Sequence, residues 1–319
     1  MKILIIQTAF IGDVILATSA LEKLHAYFPD AKIDMLVRGG NESLLYEHPF
    51  LNKVWVWNKR THKLRNLFGL AFGIRKAKFE VIINIHRYGP SGFITFLSGA
   101  KSKIGYDKNP FSFCYSKKVK YEIGTSIHET ERIQLLIQDL TDSLCCKPKL
   151  YPSLENKQAV QGFQQSPYIC IAPTSVWFTK QLPADKWIEL CNQLTDKKIY
   201  LLGAADNFSA CEDIKNRTNH KHIENLAGRL GLLESAALIE KAEMNFVNDS
   251  APLHIASAMN APVTAIFCST IPAFGFGPLS DNSIIIETKL KLDCRPCGLH
   301  GYNACPKGHF KCSEITVPA

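Results

Sequence analysis

Three short polar clusters have residue types and spacings suited to chemistry on an anionic, hydroxyl-bearing ligand. The first is Gly12-Asp13, set between the apolar run Lys2-Ile3-Leu4-Ile5-Ile6 and a helical pattern from Val14 to Phe28. A carboxylate there either eases the helix dipole and satisfies free backbone N–H groups, or takes a proton from a substrate hydroxyl. The second is Thr174-Ser175, with Lys180 five residues further on and a helix beginning after Leu182-Pro183. Hydroxyls and a lysine beside a helix start suit a phosphate; they equally suit a solvated loop with ordinary capping. The third is Asn248-Asp249-Ser250, followed by Pro252 and His254 in a first helical turn. It suits an anion or sugar hydroxyls, and again simple capping. Two anion-competent loops in one half of the chain favour a phosphate-bearing ligand, with a nucleotide the natural candidate. The turn at Gly12 lacks G-x-G-x-x-G and no P-loop lysine follows, so no pyrophosphate cradle is expected there.

A fourth cluster closes the chain: Cys294, Cys297, Cys305 and Cys312, with His300 and His309 nearby. Thiols at such short spacing in a cytoplasmic protein favour a structural metal over disulfides, with free thiols the close competitor. The spacing is not that of a standard zinc ribbon. The other cysteines, Cys145-Cys146 included, read as small buried apolar residues.

The elements that must position these clusters alternate between strands and helices. Strand 2–6, helix 14–28 and strand 31–37 form a strand–turn–helix–strand unit, the opening of a doubly wound α/β domain. Strand 81–85, an apolar helix through Leu97, strand 103–106 and helix 128–140 continue it. Residues 147–165 turn polar and read as a linker. A second alternating series follows: strands 168–172, 198–202, 244–247 and 263–267, with helices 184–194, 233–242 and 252–259. The expectation is two Rossmann-like domains, 1–155 and 156–319, facing an interdomain cleft, with ligands at the carboxyl ends of the strands.

Charge separates the two halves. Residues 1–155 carry 22 Lys+Arg against 14 Asp+Glu, whereas 156–319 carry 15 of each, so the whole positive excess lies in the first half. Its densest stretch runs from Lys53 to Lys78 through Lys59, Arg60, Lys63 and Arg65, interleaved with Trp55, Trp57, Phe68 and Phe72. Such a stretch suits a polyanion, either nucleic acid or phosphorylated lipid headgroups, or is a solvated basic helix face. The neutral second half and the lack of a nucleic-acid motif count against nucleic acid. No apolar run approaches the roughly 20 residues of a membrane span. The chain opens on a structural strand, so no signal peptide is expected and the expected compartment is the cytoplasm.

Several of these segments, in this order, resemble glycosyltransferase family 9, the ADP-heptose:lipopolysaccharide heptosyltransferases. They are T-x3-G-D (Thr8 to Asp13), T-S…K-x-x-P (Thr174, Ser175, Lys180, Pro183) and N-D-S-x3-H (Asn248 to His254). The cysteine tail, C-x2-C…C-P-x-G-H-x2-C, is similar to the heptosyltransferase II branch. The resemblance covers essentially the whole chain. It implies the GT-B architecture, with a phosphorylated lipid-linked saccharide acceptor on the N-terminal domain and an ADP-sugar donor on the C-terminal one. It also implies peripheral contact with the inner face of the inner membrane.

By the same resemblance Asp13 is the general base of an inverting displacement, and Lys180 neutralises the departing diphosphate with help from Ser175 and Ser250. Thr174, Asp206, Asp249 and His254 complete the donor set, Asp249 holding sugar hydroxyls. Thr8, Gly12, Lys59, Arg60, Lys63 and Arg65 are expected on the acceptor side. No cofactor is required for catalysis. Gln7, where some members carry a basic residue, and Ala251-Pro252, in place of a glycine-containing turn, depart from the family pattern. A related transferase using another nucleotide sugar or acceptor is the alternative, and a nucleic-acid-binding protein with a cysteine metal site is the alternative of another class.

Overall fold

The computed structural model describes residues 1–59 and 61–318. They form two compact units, one of residues 1–123 and 127–151, the other of residues 124–126 and 152–319. The first runs β1 (Lys2–Ile6), α1 (Ile11–Tyr27), β2 (Lys32–Arg38), β3 (Leu51–Trp57), α2 (Lys63–Ala77), β4 (Val81–Asn84), α3 (Gly89–Leu97), β5 (Ser102–Tyr106), β6 (Lys117–Val119) and α4 (Glu129–Ile137). Its sheet order is β3-β2-β1-β4-β5-β6, with every pairing parallel. β1 and β4 read as unbroken apolar runs because helices cover both faces of such a sheet, and their side chains are buried except at Lys2.

The second unit runs α5 (Leu154–Val160), β7 (Tyr168–Ala172), α6 (Ala184–Gln193), β8 (Lys198–Leu201), α7 (Phe208–Arg217), β9 (Ile223–Asn225), α8 (Leu232–Glu240), β10 (Met244–Asn248), α9 (Ala251–Ala258), β11 (Val263–Phe267) and β12 (Ser283–Glu287). Its order, β12-β11-β10-β7-β8-β9, is again wholly parallel. Counted within each unit, the two sheets share the 3-2-1-4-5-6 order of the doubly wound dinucleotide fold. Each has its own core, one around Leu4, Ile6, Leu36 and Ile82, the other around Ile171, Trp187, Leu201 and Ile266.

This order fixes where the polar clusters fall. The strand order reverses between β1 and β4 in the first unit and between β7 and β10 in the second, and a crevice opens at the carboxyl end of each such pair. Asp13 follows β1, Lys180 follows β7 and Asp249 follows β10.

Two expectations need correcting. The first helix starts at Ile11, so Gly12 and Asp13 lie inside its first turn rather than ahead of it. The polar stretch 147–165 is not all linker: it contains α5, whose start Ser153 caps through its hydroxyl to the Asn156 N–H (3.2 Å). A helix of two turns that buries only Val160 leaves almost no apolar period to read. Among the described residues no helix is long and apolar enough to cross a membrane.

Candidate functional site

On the first unit the site grows from the turn after β1. Asp13 is the third residue of α1, and its Oδ2 accepts the Phe10 N–H at 3.1 Å, so the carboxylate does cap the helix. It is only partly exposed. Burial raises its pKa from 3.8 to about 6; the negative charge of Glu129 adds to the rise, while the Phe10 N–H and Arg87 oppose it. Glu129 is itself buried and held by Arg132 Nε (2.7 Å) and the Tyr121 hydroxyl (2.9 Å). A capping carboxylate in water would not be raised in this way. One poised near neutrality is fit to accept a proton.

Around it the crevice gathers residues from β1, β3 and β4. Thr8 Oγ1 lies 3.0 Å from His86 Nδ1, and Lys59 Nζ donates to the Thr8 carbonyl at 2.7 Å. Burial, with the nearby charges of Lys59 and Arg87, lowers the His86 pKa to about 3, so this imidazole stays neutral. Burial, with Arg38 and Lys63, lowers Lys59 to about 8. Of the other expected acceptor residues, Gly12 is in the same turn, Lys63 and Arg65 are exposed at the start of α2, and Arg60 lies outside the described residues. Beyond β4 an open cavity of about 440 Å³ is lined by Arg87, Tyr88, Lys108 and Tyr121, with the Arg87 guanidinium 4.0 Å over the Tyr121 ring. Two cations and two aromatic rings suit an anionic sugar.

On the second unit Lys180 and Asp249 meet. Their Nζ and Oδ2 are 2.7 Å apart in a largely buried ion pair, and the Thr270 hydroxyl donates to the same Oδ2 at 2.6 Å. Lys180 ends a short 3₁₀ turn, Phe178–Lys180, while Asp249 follows β10, whose parallel pairing with β7 brings the two loops together. Sequence reasoning gave the two residues separate duties; the fold makes them one unit. Thr174 and Ser175 sit at the mouth of β7, half-buried, with the Ser175 carbonyl accepting from Gln181 Nε2 at 2.8 Å. Ser250 is the N-cap of α9, and His254 is buried within that helix, 6.4 Å from the Phe276 ring. Asp206 is exposed on the turn after β8, the strand flanking β7 on the side away from β10.

The cysteine tail does not form the expected metal site. Among the described residues no three His, Cys, Asp or Glu groups gather to hold an ion, and all eleven cysteines are free. Cys297 Sγ turns back to the Cys294 carbonyl at 3.1 Å, Cys294 Sγ lies 3.9 Å from His309 Nε2, and Cys312 is buried just ahead of Ile315 and Val317 in the core. The tail instead braces the Lys180–Asp249 loops. Arg295 donates to the carbonyls of Cys268 (2.6 Å) and Thr270 (2.7 Å) and pairs with Glu287. The Cys297 N–H bonds the Ser269 carbonyl at 2.8 Å. Tyr302 exchanges hydrogen bonds with Thr179, its N–H to Oγ1 (2.8 Å) and its carbonyl from the Thr179 N–H (3.1 Å).

His86, Arg87, Glu129, Thr270 and Arg295 carried no motif of their own. The one available signal was that His86-Arg87 ends a buried strand, which is where a crevice lies.

Residues 68–300 match the family described as glycosyltransferase family 9 (heptosyltransferase). The chain belongs to that family. It is 27% identical over 293 residues to lipopolysaccharide heptosyltransferase 3 of Escherichia coli, covering 86% of this chain and 85% of the relative. The structure of E. coli ADP-heptose lps heptosyltransferase II superposes with a TM-score of 0.79 at 23% identity, over 98% of this chain and 97% of that one. A glycosyl transferase family 9 structure from Veillonella parvula gives 0.82 at 20% identity, covering 90% and 86%. This family member is therefore a glycosyltransferase, and its two doubly wound units are those of the GT-B fold.

Proposed function

We propose that this transferase moves heptose from ADP-heptose to the phosphorylated inner core of a lipid-linked lipopolysaccharide acceptor, with inversion. The observation that carries the reading is Asp13, a carboxylate at the mouth of β1 poised near pH 6 beside a cationic, aromatic-lined cavity. Its relatives' names supply the sugar and the acceptor class. In this reading Asp13 takes the proton of an acceptor hydroxyl as that oxygen bonds to the anomeric carbon and the bond to the diphosphate breaks. Arg87 and Lys108 meet anionic groups on the acceptor, with Thr8, Lys59 and the start of α2 beside them.

Lys180 has three N–H donors, so it can keep Asp249 while meeting a phosphate oxygen. The first-turn N–H groups of α9, at Ser250, share the charge of the departing ADP, and Asp249 accepts from sugar hydroxyls. With the leaving-group charge so assigned, the reading requires no cofactor. It places the enzyme in the cytoplasm, peripheral at the inner face of the inner membrane.

Thermal shift decides the donor. ADP and ADP-sugars are expected to raise the melting temperature with increasing concentration, and GDP- and UDP-sugars to leave it unchanged. A rise confined to UDP- or GDP-sugars would overturn ADP-heptose as donor. A related expectation concerns Gly301, whose φ is +76° and where an added Cβ would stand 2.9 Å from Thr179 Oγ1 and 3.2 Å from Lys180 Cγ. Gly301→Ala should cost about 1–2 kcal/mol of stability and weaken ADP binding, because the strain falls on the turn carrying Lys180. Denaturant melts with and without ADP check both effects.

A further inference from the structure

Helices α2 and α3 and the loop after β5 carry an exposed aromatic surface that the transfer chemistry leaves unused. On α2, Leu64, Phe68 and Phe72 repeat every four residues, in a stripe beside the face that buries Leu67, Ala71 and Ile74. Leu64 is 67% exposed and Phe72 57%. The stripe continues across ring contacts: Phe68 meets Phe93 edge-on at 5.2 Å, and Phe93 lies 6.0 Å from Phe111. Phe111 is in turn 6.0 Å from Phe96 and 5.9 Å from Phe113, which is itself 67% exposed.

Charge surrounds this surface with one sign. Residues 48–118 contain 14 lysines and arginines and two acids, Glu80 and Asp107. Both acids are engaged elsewhere, Glu80 with the Lys2 N–H and the amino terminus, Asp107 with the Tyr121 N–H. Exposed Lys76 stands on α2, exposed Lys101 lies in the connection between α3 and β5, and Lys103 Nζ reaches the Phe96 carbonyl at 3.4 Å. Contiguous apolar rings rimmed by cations mark a partner that is apolar within and anionic at its surface. A bilayer with acidic headgroups has that profile: rings enter the acyl boundary while lysines stay among the phosphates. A soluble polyanion would meet the lysines and leave the phenylalanines in water.

From this we infer that the α2–α3 face, extended by the Phe111–Phe113 loop, seats the enzyme on an anionic phospholipid membrane. The inference rests on the reading of the acceptor as lipid-linked. Phe111 follows Pro110 and Lys108 of the cavity beyond β4, so the docking face and the acceptor cavity share a rim. A saccharide anchored in the bilayer would then reach the cavity without leaving its membrane.

Vesicle flotation of the full chain tests this. The wild type is expected to float with phosphatidylglycerol–cardiolipin vesicles at ~0.1 M salt, to do so much less at ~0.5 M, and hardly at all with phosphatidylcholine. The variant Phe72→Ser/Phe113→Ser should lose about tenfold or more of that binding, and Lys76→Glu/Lys101→Glu a comparable part at low salt. Both variants should keep wild-type transfer to a deacylated, water-soluble core saccharide. Flotation equal to wild type in the double-serine variant would overturn the inference. So would a wild type that stays off anionic vesicles and forms dimers, in sizing columns, that the serine variant abolishes. Failure of flotation with transfer intact removes the docking face alone; absence of transfer to the soluble saccharide removes the functional reading instead.

Discussion

Asp13→Asn is expected to lower the transfer rate by roughly 10²–10⁴-fold while making the protein more stable at neutral pH. Asparagine keeps an oxygen to accept the Phe10 N–H, so the start of α1 survives, but it cannot take a proton from a hydroxyl. The stability gain follows from the direction of the pKa shift. In the fold Asp13 titrates near 6, above the 3.8 of an open chain, so the native state holds its proton more tightly. That contribution to stability is fully present below about pH 4 and is lost as pH rises through about 6; above this the charged carboxylate works against folding. The melting-temperature difference between variant and wild type should therefore widen from pH 4 to pH 7 and then level off. The wild-type rate should fall on acidification with a single ionisation near pH 6. Glu129→Gln, which removes a neighbouring negative charge, should move that limb to lower pH. An inactive variant that is no more stable at pH 7 than the wild type would contradict the poised carboxylate.

The second large effect concerns Lys180 and Asp249. Lys180→Ala leaves a buried carboxylate with the Thr270 hydroxyl but without its cation, and breaking such a pair costs about 3–5 kcal/mol. It should also lower the transfer rate by roughly 10²–10³-fold, since the charge developing on ADP loses its positioned donor. Combining it with Asp249→Asn should recover much of the stability and none of the activity. A double-mutant cycle in urea melts, run beside transfer assays, separates the two quantities. Additive stability losses would show that the pair is not one unit. Recovery of transfer in the double variant would show that Lys180 acts only through Asp249.

Much of the scaffold was legible because parallel strands buried on both faces are written as apolar runs: β1, β4, β7, β10 and β11 all stand out in this way. Strands β3 and β12 did not, because they are sheet edges with mixed, partly exposed faces. Helix α2 was read for its charges before its shape. Asp13, Lys180 and Asp249 were each visible as polar residues after strands, but the Lys180–Asp249 contact depends on β7 lying beside β10, which no local pattern encodes. The raised pKa of Asp13 was equally hidden, since it comes from burial and from Glu129, distant in sequence. In the tail the cysteines drew attention by their spacing, whereas the work of that segment falls to Arg295, Gly301 and Tyr302, bonded to the loops that carry Lys180 and Asp249.

Heptosyl transfer with inversion on a core saccharide is checked by product analysis. Purified enzyme is incubated with ADP-heptose and a deacylated, phosphorylated inner-core saccharide, and the product linkage is read by NMR. One heptose should be added per ADP released, with an anomeric configuration opposite to that of the donor, and none by the Asp13→Asn variant. A linkage that retains the donor configuration, or full transfer by Asp13→Asn, would contradict it.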